Sequence, residues 1–175
     1  TDTILKRWGK RGLYTATLFH YRRRLLQQIN PALELGRSFI REEYQKVYAP
    51  LLLLWKGIAE YLIRNPHYGY LFGTVSINNR YQSISRQLMA QFLQATNFRA
   101  DIARWIRPRR PLRLRPFSAW DPRTLSTTVR DLDEVSCLVA EIESEQKAVP
   151  ILLKQYLKLG AQLIGFNVDP AFQDV

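Results

Sequence analysis

The chain has 175 residues, is 46% hydrophobic and carries a formal net charge of +11, so it can build one globular core and favours acidic partners. Its single cysteine, Cys137, excludes an internal disulfide framework, and its two histidines lack the spacing of metal ligands, so we predict no metal site. The N-terminal segment has no continuous apolar run typical of a secretory leader, which predicts a cytoplasmic protein.

The charge is unevenly distributed along the chain. Residues 1–130 hold 23 Lys or Arg against 7 Asp or Glu, whereas residues 131–175 hold 3 against 8. Such asymmetry predicts one surface that attracts an acidic partner. Nucleic acid, an anionic membrane surface and an acidic carrier protein would each satisfy it, and the charge alone does not choose between them.

The first strand is predicted over residues 33–40, after a basic segment in which a short helical stretch begins near residue 22. Its sequence, L-E-L-G-R-S-F-I, places Glu34, Gly36 and Arg37 where a buried strand normally carries apolar residues. Glycine in a strand interior often marks a bulge or a close approach of a ligand. Burying charged side chains costs free energy unless they pair with an opposite charge or take part in the protein's function. Glu34 and Arg37 are therefore either a structural ion pair or part of a site.

Helices and strands alternate through the rest of the chain. The apolar periodicity predicts a helix over residues 50–64, which Lys56 and Glu60 mark as a buried helix and not a membrane span. The remaining elements are predicted as a strand over 68–77, helices over 83–96, 128–144 and 150–160, and a strand over 161–168. This order predicts a mixed α/β domain with a central sheet and flanking helices.

Four segments of the chain carry a resemblance to a known family. E-L-G-R-S-F-I and the following E-Y-Q-K-V-Y-A-P-L-L-L-L-W-K-G-I resemble the ornithine-lipid type of N-acyltransferase, often called hemolysin-like, within the GNAT superfamily. P-I-L-L-K-Q-Y-L-K-L-G and G-F-N-V-D-P-A-F are similar to the closing helix and strand of that family. Acyl-homoserine-lactone synthases are its relatives. The resemblance implies one GNAT-like domain over residues 1–175, and we expect it to be a fragment that lacks the first strands and the last one.

The resemblance also implies the chemistry, which is transfer of a fatty acyl group from a thioester to an amino-acid amine. In that interpretation Glu34 is the general base and Arg37 its companion, and the backbone at Leu35 and Gly36 holds the thioester oxygen. Tyr156 matches the closing-helix tyrosine that protonates the leaving thiolate in many GNAT enzymes. Tyr156 packing as an ordinary aromatic residue is an equal alternative.

One departure from the superfamily pattern concerns the donor. Acetyl-CoA-dependent members bind pyrophosphate on bare backbone N–H groups of a glycine-rich turn at a helix N-terminus. Here Tyr48 occupies the first glycine position, and Pro50 has no N–H. We therefore expect acyl-ACP, the acyl thioester of acyl carrier protein, as donor in preference to acyl-CoA, and no bound cofactor.

The arginine run between residues 107 and 115 is held extended by its prolines. A solvated arm is the commonest fate of such a run, a surface for acidic acyl carrier protein or for the anionic inner membrane comes next, and nucleic acid is third. The predicted partner-binding residues are Arg107, Arg109, Arg110, Arg113 and Arg115. The alternative to an enzyme is a non-catalytic basic module that binds an anionic membrane surface or an acidic protein.

Overall fold

The computed structural model describes residues 1–36, 38–44, 47–114, 131–144 and 147–170. The chain divides into two compact units. Unit 1 comprises Thr1–Thr17 and Tyr21–Thr74, and unit 2 comprises Leu18–His20 and the described residues from Val75 onward. The prediction of one domain over the whole chain stays a prediction.

Unit 1 is built around one β-α-β arrangement. Strand β2 (Ala32–Leu35) pairs in parallel with β3 (Tyr70–Gly73), from Ala32 opposite Tyr70 to Leu35 opposite Gly73. Helix α3 (Ala49–Arg64) connects the two strands, as a parallel pair requires. The unit also contains helices α1 (Asp2–Trp8) and α2 (Arg23–Ile29) and the 3₁₀ turns Gly9–Gly12, Tyr14–Thr17 and Glu42–Tyr44.

Both strands of unit 1 are shorter than predicted. The first ends at Leu35 and not at residue 40, because its partner β3 ends opposite it at Gly73. Beyond that point Phe39 is 78% exposed, so the expectation of a buried strand was wrong there. The second strand covers four residues of the predicted segment 68–77.

Helix α3 confirms the predicted helix and begins one residue earlier, with Pro50 in its first turn. It ends before Asn65, whose backbone N–H donates to the Leu62 carbonyl. Its 16 residues include none that is fully buried, and Leu53 and Ile63 are 65% and 73% exposed. The helix therefore packs more loosely than its apolar periodicity predicts.

Unit 2 contains the main apolar core of the described residues. The predicted helix over residues 83–96 is confirmed as α4 (Ser83–Thr96), and the next two helices are observed as α6 (Leu132–Ile142) and α7 (Ile151–Lys158). Leu88, Met89, Phe92, Leu93, Val135, Val139, Val149 and Leu153 form one buried cluster. Val135 and Val139 lie four residues apart on one face of α6 and are completely buried, which explains why this helix forms against α4.

Side chains and a glycine define the ends of the unit 2 helices. The Asp131 carboxylate accepts hydrogen bonds from the backbone N–H groups of the first turn of α6, each at 2.9 Å. The buried Glu143 carboxylate accepts the N–H of Gln82, the residue that caps α4, at 2.8 Å. Gly160 follows α7 with φ of +80°, a backbone conformation that glycine adopts without strain.

The sheet of unit 2 is small. Strand β1 (Phe19–Tyr21) is hydrogen-bonded to β4 (Ile106–Pro108), which follows the short helix α5 (Ala100–Ala103). The strand predicted over residues 161–168 was wrong, because Leu163 forms only an isolated parallel bridge with Phe98. The described sheets are thus two pairs of strands. With the helices they give the predicted mixed α/β class, consistent with a GNAT-like fold.

Within the described ranges, no helix has both the length and the apolar character needed to cross a bilayer.

Candidate functional site

The carboxyl ends of β2 and β3 form the candidate site of unit 1. Both strands run in the same direction and stop at the paired residues Leu35 and Gly73. Ligands of open α/β sheets bind outside the carboxyl ends of parallel strands. The chain leaving β2 also leads to the N-terminus of α3, which carries the positive end of the helix dipole.

The two backbones come very close at this edge. A Cβ atom placed on Gly73 would collide with the carbonyl oxygen of Leu35. Because that oxygen belongs to the backbone, it cannot be displaced without moving the strand. Glycine at position 73 is therefore a requirement of the β2–β3 pairing.

Glu34, the predicted base, is the third residue of β2 and lies opposite Phe72. Its side chain reaches the 3₁₀ turn Tyr14–Thr17 and accepts three hydrogen bonds. Oε2 accepts the N–H of Tyr14 at 3.1 Å, whereas Oε1 accepts the N–H of Thr15 at 2.8 Å and its hydroxyl at 2.7 Å. The carboxylate thus fixes this turn against the strand, a contact that the sequence did not reveal.

Thr15 and Tyr21 complete a polar cluster around Glu34. Thr15 is only 1% exposed. Burial, as the main cause, raises the pKa of the Tyr21 phenol to about 12, and the negative charge of Glu34 adds to the rise while a hydrogen bond with Thr15 opposes it. Neither residue was predicted as part of the site, because both meet Glu34 across long sequence separations.

The hydrogen bonds from Tyr14 and Thr15 do not fill every acceptor position of the Glu34 carboxylate. An ionised carboxylate offers about four acceptor positions on its two oxygens. Three are occupied by the donors of Tyr14 and Thr15, two of them on Oε1. Among the described residues, no further donor takes the fourth position, on Oε2, which an amine or a water molecule can use. The half-buried side chain is compatible with such an approach, and its role as base stays a prediction.

The backbone that was predicted to hold the thioester oxygen lies at the carboxyl end of β2. Leu35 is the last residue of β2, and Gly36 is the exposed residue that follows it. The prediction that Gly36 lies inside the strand was wrong, because β2 ends at Leu35. A Cβ on Gly36 would meet the Tyr14 ring at 3.7 Å, an ordinary contact. Arg37 lies outside the described residues.

Tyr156, the predicted acid, lies in unit 2 near the C-terminal end of α7. Its side chain is half-buried, and burial raises the pKa of its phenol above the usual value. Burial therefore makes this phenol a weaker acid than an exposed tyrosine. Its catalytic role remains a prediction.

Residues 107–110 of the arginine run are anchored through their backbone, and the arginines of the described part of the run are exposed. Arg107 lies in β4, the N–H of Arg109 donates to the Leu18 carbonyl at 2.9 Å, and the N–H of Arg110 donates to Oδ1 of Asn167 at 2.8 Å. Those three arginines and Arg113 are exposed. Arg115 lies outside the described residues. Residues 107–110 are thus part of the unit 2 structure and not a loose arm.

The start of α3 has the features that argue against a pyrophosphate cradle. Tyr48 stands at the N-cap with helical backbone angles and a side chain 55% exposed. Pro50 removes one of the N–H groups that a helix N-terminus normally leaves unpaired. Across the described ranges, no three His, Cys, Asp or Glu side chains come together as a metal site would require.

Comparison with known proteins gives a consistent family signal. Residues 2–56 match the family described as acetyltransferase (GNAT) domain, a range that contains β2 and the start of α3. A glycine N(alpha)-acyltransferase of Bacteroides thetaiotaomicron is 28% identical over 100% of this chain and 54% of its own length. One of Phocaeicola vulgatus is 27% identical over 95% of this chain and 53% of its own.

The chain spans about half the length of these curated relatives. No solved structure matches it significantly. The comparisons support the GNAT superfamily, in agreement with the mixed α/β class.

Proposed function

Starting from this GNAT similarity, we propose that the protein is an N-acyltransferase that moves a fatty acyl group from a thioester to an amino-acid amine. The observation that carries the proposal is the Glu34 carboxylate at the carboxyl end of a parallel strand, where the described residues donate three hydrogen bonds to it and leave one acceptor position. The family match supports it, since residues 2–56 include this strand.

The proposed reaction begins with the acceptor amine, which is an ammonium ion near neutral pH. Glu34 accepts one proton, and the freed nitrogen lone pair attacks the thioester carbonyl carbon. The C–N bond forms while backbone N–H groups near Leu35 and Gly36 stabilise the carbonyl oxygen as it becomes negative. The C–S bond then breaks, and the leaving thiolate takes a proton, for which the sequence resemblance proposes Tyr156. The nitrogen gives up its second proton as the amide forms, which restores the phenol, and Glu34 releases its proton to solvent.

Glycine is the acceptor we propose first. Both curated relatives are named for glycine, and they align with nearly the whole chain. Ornithine, the acceptor in lyso-ornithine-lipid synthesis, is the second choice, from the resemblance of the E-L-G-R-S segment. The two differ in charge, because ornithine carries a second ammonium group that would need an acidic partner in the site.

For the donor we propose acyl carrier protein in preference to acyl-CoA, although acyl-CoA is the common donor of GNAT enzymes. Two residues at the start of α3 support this choice. Pro50 removes an N–H from the first turn, and Tyr48 places a side chain where a pyrophosphate-binding turn would have glycine. The exposed arginines 107–113 offer a complementary surface to an acidic carrier protein.

The test is a product assay with the whole protein. Long-chain acyl carrier protein and the matching acyl-CoA are each offered with glycine or ornithine, and N-acyl products are measured by mass spectrometry. We expect N-acylglycine from the carrier-protein donor, and little product from acyl-CoA. Faster turnover with acyl-CoA would overturn the donor proposal, and product from ornithine alone would overturn the acceptor proposal.

The second candidate is a non-catalytic basic module. The same three hydrogen bonds favour it, because they give Glu34 a complete structural role without any substrate. Absence of product from every donor and acceptor pair, with retained binding to carrier protein or vesicles, would support this candidate.

A further inference from the structure

The described N-terminal segment concentrates positive charge on one compact turn. Residues 1–33 hold seven Lys or Arg and a single acid, Asp2. Four of the cations, Lys6, Arg7, Lys10 and Arg11, flank Trp8 in sequence, and all five side chains are exposed. We call these five residues the N-terminal basic patch. It belongs to unit 1, whereas the arginine run belongs to unit 2.

The patch is held together by a glycine contact. A Cβ atom on Gly12 would lie 2.6 Å from Cγ2 of Ile4 and 2.7 Å from Cβ of Trp8. The 3₁₀ turn Gly9–Gly12 therefore folds back against the last turn of α1. This packing places Lys10 and Arg11 beside the helix end that carries Lys6 and Arg7.

The charges of the patch are available to a partner. Among the ion pairs between described residues, none involves Lys6, Arg7, Lys10 or Arg11. The Nζ of Lys10 donates to the Tyr21 carbonyl at 3.2 Å, which places the turn beside the start of α2 and its three exposed arginines, 22–24. The local field is thus strongly positive.

The exposure and surroundings of Trp8 indicate which kind of partner the N-terminal basic patch binds. Its side chain is 64% exposed, and the Arg7 guanidinium lies 5.3 Å from its ring centre. An exposed indole beside several cations is the composition of segments that settle at the headgroup level of a bilayer. Anionic lipid adds about fivefold in affinity for each nearby Lys or Arg.

We propose that the N-terminal basic patch is a docking surface for membranes that contain anionic phospholipid. An acidic protein fits less well, because a stable protein interface needs about 20–30 residues on each side, and the patch spans six positions of the chain. Single-stranded nucleic acid fits less well too, because Arg7 occupies a face of the Trp8 ring on which a base would stack. This inference does not depend on the proposed enzyme activity.

The experiment is vesicle flotation with the whole protein. Phosphatidylcholine vesicles containing about one-third phosphatidylglycerol are compared with pure phosphatidylcholine, at low and at raised salt. We expect flotation with the anionic vesicles alone, weakened by salt. A quadruple variant, Lys6→Gln, Arg7→Gln, Lys10→Gln and Arg11→Gln, should bind roughly 10²–10³-fold more weakly.

The matched control removes four exposed cations outside both the patch and the arginine run: Lys56→Gln, Arg80→Gln, Arg104→Gln and Lys158→Gln. If general charge attraction were the cause, both quadruple variants would lose binding equally, and the proposal would be overturned. Far-ultraviolet circular dichroism and melting temperature establish that both variants remain folded.

Trp8→Ala tests the aromatic part of the proposal. We expect weaker flotation and loss of the Trp fluorescence quenching that brominated lipids cause in the wild-type protein. Unchanged quenching would show that Trp8 stays outside the bilayer and would contradict its role. If Lys6 and Arg7 were needed for binding to acyl carrier protein and no vesicle binding were seen, the partner of the patch would be an acidic protein and the membrane proposal would be overturned.

Discussion

Thr15 donates two hydrogen bonds to one oxygen of Glu34, from its backbone N–H at 2.8 Å and from its hydroxyl at 2.7 Å. The two residues are 19 positions apart, and Thr15 is almost completely buried. A residue proposed for chemistry is therefore also part of the framework of unit 1. Stability and catalysis at Glu34 must be measured separately.

Thr15→Val removes the hydroxyl donor and keeps the branched shape of the side chain. We expect the free energy of unfolding to fall by about 1–3 kcal/mol, since a hydrogen bond to a half-buried charged group is lost. Denaturant titration measures this, with Thr3→Val on the exposed side of α1 as control. Equal stability of the two variants would show that the hydroxyl contact contributes nothing.

Glu34→Gln keeps the size of the side chain but removes the base. We expect the acyl-transfer rate to fall by roughly 10²–10⁴-fold, which is the usual contribution of a positioned base. Stability should fall as well, because the amide group presents a donor to N–H groups that need acceptors. A variant with normal rate and lowered melting temperature would leave Glu34 with its structural role alone.

Gly73→Ala tests the close approach of the two strands. We expect a loss of about 1–3 kcal/mol, the usual effect of overpacking, because the added methyl group would collide with the Leu35 carbonyl. Gly69→Ala is the matched control, since a Cβ there has no neighbour within 4 Å. A stable Gly73→Ala variant would mean that β2 and β3 separate easily.

The raised pKa of the Tyr21 phenol leads us to expect that the protein loses stability at alkaline pH. Its pKa is about 12 in the folded protein, against an ordinary value of 10.0, so the unfolded chain releases the proton first. The stabilisation is complete below pH 10 and is lost as the pH rises through about 12, by roughly 2–3 kcal/mol in total. Unfolding titrations across this range should show a smaller decline for Tyr21→Phe than for the wild type. Identical declines would contradict the assignment.

The exposed arginines of residues 107–113 predict salt-dependent binding of acyl carrier protein. Affinity should fall as ionic strength rises, because exposed charges are screened. Arg107→Ser with Arg113→Ser should weaken binding in calorimetric titration, while Arg80→Ser with Lys158→Ser serves as the control of equal charge. An affinity that changes neither with salt nor with the arginine substitutions would exclude this surface as the binding site of acyl carrier protein.

Helix positions were predictable because their signals are local. Residues 83–96 were predicted as a helix and observed with those bounds, since the apolar face repeats every three to four residues. Gly160, at the end of the helix predicted over residues 150–160, follows α7 with φ of +80°, as glycine often does at a helix C-terminus. Both signals lie entirely within a few neighbouring residues.

Strands and site contacts were less predictable because they depend on distant partners. Residues 33–40 have the composition of a buried strand, but the length of β2 is set by where β3 ends. Thr15 gave no sign of its contact with Glu34, because a threonine in a short turn is unremarkable in sequence. Glu34 itself was identified because a charged residue is unusual between Leu33 and Leu35.

The uneven burial of the helices has a consequence for amide hydrogen exchange. Val135 and Val139 of α6 are completely buried against α4, whereas α3 has no fully buried residue. Exchange of a helical amide requires local opening, whose free energy follows the apolar contacts that must be broken. The amides of α4 and α6 should therefore exchange together and slowly, and those of α3 earlier. The helix that leads from β2 to β3 would then open in molecules whose α4–α6 core is still intact.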